Sequence, residues 1–290
     1  MMLKRMGRWG IGILVALLAL ALQWAGLAET ADPDAAAVKP HNYILIIDNS
    51  LSTTGRHQLG GATDPKGLRF DAAQLVYQNV VSSADLGSRG ELVVIVFCGP
   101  KNCVTYGPLD IGDKALDEKI GKYLNAKANA AHRDNFTDIR TALEKAREMI
   151  SGFDGDTSVI LLTDGVNDLL NRPDPFSRRE NIEANAQCVE LVKQMHGEGV
   201  DFQFIALTAE ESVANTDAFM VFINDLAEAG GGAVGADGEC SNVLMATQTD
   251  LNSKLVQMLI KAESASESIQ TIVEYTPVYA PFTVASVMPS

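Results

Sequence analysis

The chain has 290 residues, 47% of them apolar and 21% charged, enough to bury one substantial core and too apolar for a disordered segment. Its formal charge of -14 is spread along the sequence, which argues against nucleic acid or an anionic membrane surface as partner of the globular part and suits a multivalent cation.

Lys4, Arg5 and Arg8 precede the unbroken apolar run Ile11 to Leu22, and the small residues Gly26 and Ala28 follow it. This is the pattern of an export segment over residues 1-28, either a cleaved signal peptide or a retained N-terminal anchor, since Trp9 to Ala28 is nearly long enough to cross a bilayer. The expected location is secreted or within the cell envelope. Residues 29-41 are polar and contain proline, as a linker would be.

The main domain is expected over residues 42-262. Tyr43 to Ile47 is apolar without alternation and stops at Asp48, as a parallel strand buried on both faces does. Arg69 to Val81 returns apolar residues at helical spacing, and Leu92 to Phe97 is a second buried strand, completing a strand-helix-strand crossover. Val104 to Leu109 reads as a short antiparallel edge strand, followed by amphipathic helices over Lys114 to Leu124 and Asp138 to Ile150. Val159 to Thr163 is a buried strand ending at Asp164. Helix Ile182 to His196, strand Phe202 to Leu207, helix Phe219 to Ala229 and helix Leu251 to Ala262 complete the order. The alternation predicts an α/β fold: a doubly wound, mostly parallel sheet with one antiparallel edge strand and helices on both faces. Residues 263-290 change character. Ile269 to Tyr279 is rich in strand formers, and this tail is either a linker to a further module or a strand added to the main domain.

Four cysteines suit an oxidising compartment, and Cys98 and Cys103 flank a short turn between two strands, so a disulfide is expected there in preference to free thiols. The pairing of Cys188 and Cys240 is left open. The four histidines show no zinc-ligand spacing with one another or with the cysteines.

Directly after the first strand stands Asp48-Asn49-Ser50-Leu51-Ser52, which places a carboxylate and two hydroxyls at alternate positions of one loop. These are hard oxygen donors, suited to magnesium when one or two further oxygens arrive from elsewhere. Thr137 at a helix start and Asp164 at a strand end are so placed, because ligands of doubly wound sheets bind beyond the carboxyl ends of the strands.

At this point the sequence resembles the von Willebrand A and integrin inserted-domain family, whose metal-ion-dependent adhesion site uses a D-x-S-x-S loop, a threonine on a second loop and an aspartate on a third. Asp48, Ser50 and Ser52 match the first loop. Thr137 opens Thr-Asp-Ile-Arg-Thr-Ala-Leu, as on the second, and Asp164 lies in Leu-Leu-Thr-Asp-Gly, as on the third. Thr63 to Ala72 also looks like the lead-in to that family's first helix. Two features depart from its common pattern: Thr53 stands where many relatives carry methionine, and the Thr53 to Leu68 loop is long. The resemblance implies bound Mg2+, or Mn2+ or Ca2+, held by Asp48, Ser50, Ser52, Thr137 and Asp164, with an open position for an Asp or Glu carboxylate of a protein partner. It implies adhesion or assembly without catalysis.

Two other functions compete with that reading. In a structural scaffold of a cell-envelope complex the cation would serve stability alone. A metal-dependent phosphohydrolase with Asp48 as nucleophile would need a second carboxylate two residues on, where Ser50 stands.

Overall fold

A computed structural model describes residues 39-54, 64, 66-85, 89-113, 115-125, 128-170, 177-208, 216-235, 240-247, 250-251 and 253-254. The export segment, the linker to residue 38, most of the helix expected over Leu251 to Ala262 and the 263-290 tail lie outside the described residues. Among the described residues no helix is long and apolar enough to cross a membrane.

Strands β1 (His41–Asp48), β2 (Glu91–Phe97), β3 (Cys103–Asp110), β4 (Asp156–Thr163), β5 (Val200–Thr208) and β6 (Val243–Thr247) form one sheet in the order β3-β2-β1-β4-β5-β6. Every pairing is parallel except that of β2 with edge strand β3. Helices α1 (Leu68–Asp85), α2 (Leu116–Tyr123), α3 (Ile139–Ile150), α4 (Arg179–Gly197) and α5 (Thr216–Ala229) flank it. The doubly wound sheet with one antiparallel edge, expected from the alternation of elements, is the observed fold.

Because successive side chains of a strand point to opposite faces, the unbroken apolar strands feed two cores. Ile44 and Ile46 of β1 and Val93, Ile95 and Phe97 of β2 pack with Leu143 of α3, Val192 of α4 and Ile223 of α5. Leu45, Ile47, Val94 and Val96 pack on the other face with Phe70 and Val76 of α1 and Ile120 of α2. The chain builds outward from β1 through β2 to β3, then crosses back to lay β4 on the other side of β1. Strand order therefore reverses between β1 and β4, and the crevice of such a sheet opens where the carboxyl ends of these two strands part. Asp48 and Thr163 are those ends.

β6 was not among the expected strands. It is five residues long and only Ala246 in it is buried, so it lacks the long buried run that marks β1 or β4.

The expected Cys98–Cys103 disulfide is corrected: all four cysteines are free thiols. The hairpin forms, but its register pairs Cys103 with Phe97, so the Cys103 side chain shares the Phe97 face. Cys98, one residue on, points the other way and donates from Sγ to the His132 carbonyl at 3.0 Å. Burial pushes the Cys98 and Cys103 thiols up to about 11 and that of Cys188 up to about 12, so little thiolate exists near neutrality. Alkylation of the unreduced protein is expected to label all four sulfurs only after denaturation, and Cys188 of the folded protein to resist labelling at pH 8. A peptide map carrying a Cys98–Cys103 crosslink after purification in air would reverse the correction.

Candidate metal site at the switch point

The first loop turns on Asp48. Its side chain is wholly buried, Oδ1 accepts the Ser50 backbone N–H at 2.8 Å, and Oδ2 accepts the Thr163 hydroxyl at 2.7 Å. The first of these bonds is the Asx turn that aspartate favours, and it swings the following residues across the end of the sheet. Ser50 Oγ and Ser52 Oγ are 2.9 Å apart, and Ser52 donates to Asp164 Oδ1 at 3.0 Å. The loop then enters a 3-10 turn, Leu51–Thr54, held by Thr53 Oγ1 donating to the Ser50 carbonyl at 2.7 Å.

Four of the five residues expected at the site, Asp48, Ser50, Ser52 and Asp164, are thus joined by one hydrogen-bonded chain through two hydroxyls. Thr137 is brought to the same end of the sheet by its backbone. It exchanges two hydrogen bonds with Asp168, at 3.0 and 2.8 Å, four residues beyond Asp164. Its loop also meets the first loop, where Leu51 N–H donates to the Asp134 carbonyl at 2.9 Å.

Neighbouring polar residues take structural roles. Asp138 caps α3, accepting from Thr141 N–H at 3.1 Å and from the Thr141 hydroxyl at 2.7 Å, as expected for an acidic residue at a helix start. Asn167, three residues beyond Asp164, is wholly buried. Its Oδ1 accepts the Ile139 N–H at 2.8 Å and its amide donates to Asn185 at 2.8 Å, so it satisfies the start of α3 and ties it to α4.

Sequence reasoning missed two supports of the site. Thr163, the last residue of β4, holds the second oxygen of Asp48. Asn49, between two expected ligands, is wholly buried. Its Oδ1 accepts from Arg69 Nη2 at 2.9 Å and its Nδ2 donates to the Asn129 carbonyl at 2.9 Å.

Whether a cation fits can be judged from the donors. Asp48 is buried without a basic side chain paired to it among the described residues, and Asp164 accepts directly from Ser52 of the Ser50–Ser52 pair. Among the described residues, hydrogen bonds alone compensate the buried carboxylate, an arrangement that favours an added positive charge. No three His, Cys, Asp or Glu side chains gather as a metal-binding group among the described residues, so a cation here would depend on hydroxyl oxygens as well as carboxylates. Hard divalent cations accept that mixture and zinc prefers another.

No protein-family model and no curated protein matches the sequence. Solved structures are similar in fold. The PilB minor pilin from Streptococcus sanguinis aligns with a TM-score of 0.53 at 14% identity over 79% of this chain, which spans 63% of the length of that one. The vWF domain of the type V pili tip protein Mfa5 from Porphyromonas gingivalis aligns with a TM-score of 0.53 at 10% identity, over 81% of this chain and 99% of that one. The six-stranded sheet, its single antiparallel edge and its flanking helices give this chain the fold of a von Willebrand A domain.

Proposed function

We propose that this domain is an exported binding module that holds a divalent cation at Asp48, Ser50, Ser52, Thr137 and Asp164 and uses it to capture an Asp or Glu carboxylate of a protein partner. The observation that carries the reading is Asp48: a carboxylate without exposure, paired with no basic side chain among the described residues, at the strand-order reversal and one short hydrogen-bonded chain from a second carboxylate.

Ser50, Ser52 and Thr137 would offer hydroxyl oxygens, and Asp48 and Asp164 negative charge. Neutral hydroxyls leave a bound cation short of negative charge, and that deficit is the chemistry it would supply, attracting an anionic oxygen from outside. Thr163 and the Ser50 N–H keep both oxygens of Asp48 oriented. Cation and partner would then bind cooperatively, each raising the affinity of the other equally. The reading involves no catalytic step; a phosphohydrolase with Asp48 as nucleophile would need a carboxylate two residues on, where the Ser50 hydroxyl stands beside Ser52. Secretion or placement in the cell envelope follows from the Lys4 to Ala28 pattern, and a minor pilin and a pili tip protein among the similar folds are in keeping with an adhesive or assembly role.

Calorimetric titration of the full-length chain with Mg2+ and Mn2+ tests the proposal. Binding is expected at one site. Ser50→Ala removes one oxygen and should weaken it by about ten- to a hundredfold. Equal affinity in wild type and Ser50→Ala would place the cation elsewhere.

A further inference from the structure

Behind the candidate ligands lies a buried polar chain. Arg69, at the start of α1, is wholly buried, and its Nη1 donates to Asp64 Oδ2 at 2.8 Å. Asp64 also accepts the Leu68 and Arg69 backbone N–H groups at 2.7 and 2.9 Å, capping α1. The other arm of the same guanidinium, Nη2, reaches Asn49 Oδ1, and Asn49 Nδ2 reaches the Asn129 carbonyl. Asn49 N–H is bonded to the Phe97 carbonyl at 2.7 Å. The residue between Asp48 and Ser50 is therefore fixed through its backbone and both ends of its amide.

Stability alone does not explain this chain. Burying an ion pair roughly breaks even against well-packed apolar residues, and Arg69 Nε has no hydrogen-bond partner among the described residues, which makes the burial more costly. What the guanidinium does that an apolar residue cannot is hold two groups at a fixed spacing: one on the α1 start, the other in the middle of the candidate metal loop.

We propose that Asp64, Arg69 and Asn49 act as a positioning relay, in which the two-armed Arg69 sets the Asp48–Ser52 loop in the conformation that receives the cation. The proposal rests on the cation reading above and adds residues that touch no cation themselves. Asn49→Ala removes the bridge and leaves the ion pair intact. Arg69→Lys keeps a charge beside Asp64 and loses the fork.

The test is Mn2+ affinity, read by electron paramagnetic resonance on the full-length chain, together with the melting temperature of each cation-free variant. Each substitution is expected to weaken Mn2+ binding by about tenfold. The double variant should be no weaker than the worse single one, because either change breaks the same link. Lower melting temperatures with unchanged affinity, or fully additive losses of affinity, would overturn the relay while leaving the metal site standing. Absence of Mn2+ binding to the wild type would remove the cation reading, and the relay with it.

Discussion

Replacing Asp48 by asparagine is expected to raise the melting temperature of the cation-free protein and to abolish the rise that the proposed cation site predicts for the wild type with Mn2+. Asparagine can keep both hydrogen bonds of the native side chain. Its Oδ1 can accept the Ser50 N–H, and its amide can donate to a Thr163 hydroxyl that has rotated to accept. What it removes is a buried negative charge with no basic partner among the described residues, a gain of about 1-2 kcal/mol without the cation. The wild type should recover more on binding: at a hundredfold excess over the dissociation constant, linkage contributes about 2.7 kcal/mol. For a domain of this size that corresponds to a rise of about 5-10 °C. Thermal melts of both proteins with and without Mn2+ check both signs. A variant less stable than the wild type in chelator would mean that Asp48 is already well compensated, and the electrostatic basis for the site would be lost.

The second large effect is on stability. Arg69→Met should cost about 3-5 kcal/mol, because it strands the Asp64 carboxylate in the interior, with the Asn49 carbonyl oxygen losing its donor beside it. Subtracted from the marginal stability of folded domains, that loss moves the midpoint of urea unfolding far toward zero urea. Asp64→Asn combined with Arg69→Met should restore most of it. The asparagine keeps one of the two acceptors for the start of α1, giving up one backbone N–H bond, and no unpaired charge remains. If the single variant unfolds within about 1 kcal/mol of wild type, the interior has relaxed to admit water, and the pair is not the rigid element described above.

How much of this was legible in the sequence depended on how many neighbours each residue needed to declare its role. β1, β2, β4 and β5 are covered on both faces, so each appears as an apolar run, and Asp48 and Asp164 stand out because they end such runs abruptly. β6 was missed because a short edge strand is only partly buried. Its trace, the run Val243 to Ala246 behind a polar turn, is no longer than many loops contain. The disulfide was misjudged for a different reason. Closeness along a hairpin is visible in spacing, but the face each sulfur takes depends on register, and the Phe97–Cys103 pairing settles it. Alternating Asp48, Ser50 and Ser52 revealed the first loop, whereas Asn49 between them gave no signal. Its partners are Arg69, twenty residues on, and the Asn129 carbonyl, eighty residues on. Thr163 shows in the sequence only as the end of a strand, because a terminal threonine is ordinary until its hydroxyl reaches Asp48.

The Asp64 N–H donates to the Thr53 carbonyl at 2.8 Å, so the two stems of the long loop beyond the serines are pinned together independently of the sequence that spans them. Residues can then be exchanged between those stems with both partners of this bond and the Asp64 cap of α1 kept in the chain, and under the proposed function such exchanges would alter the choice of partner rather than the ligands of the cation. That span is the natural graft point of the molecule.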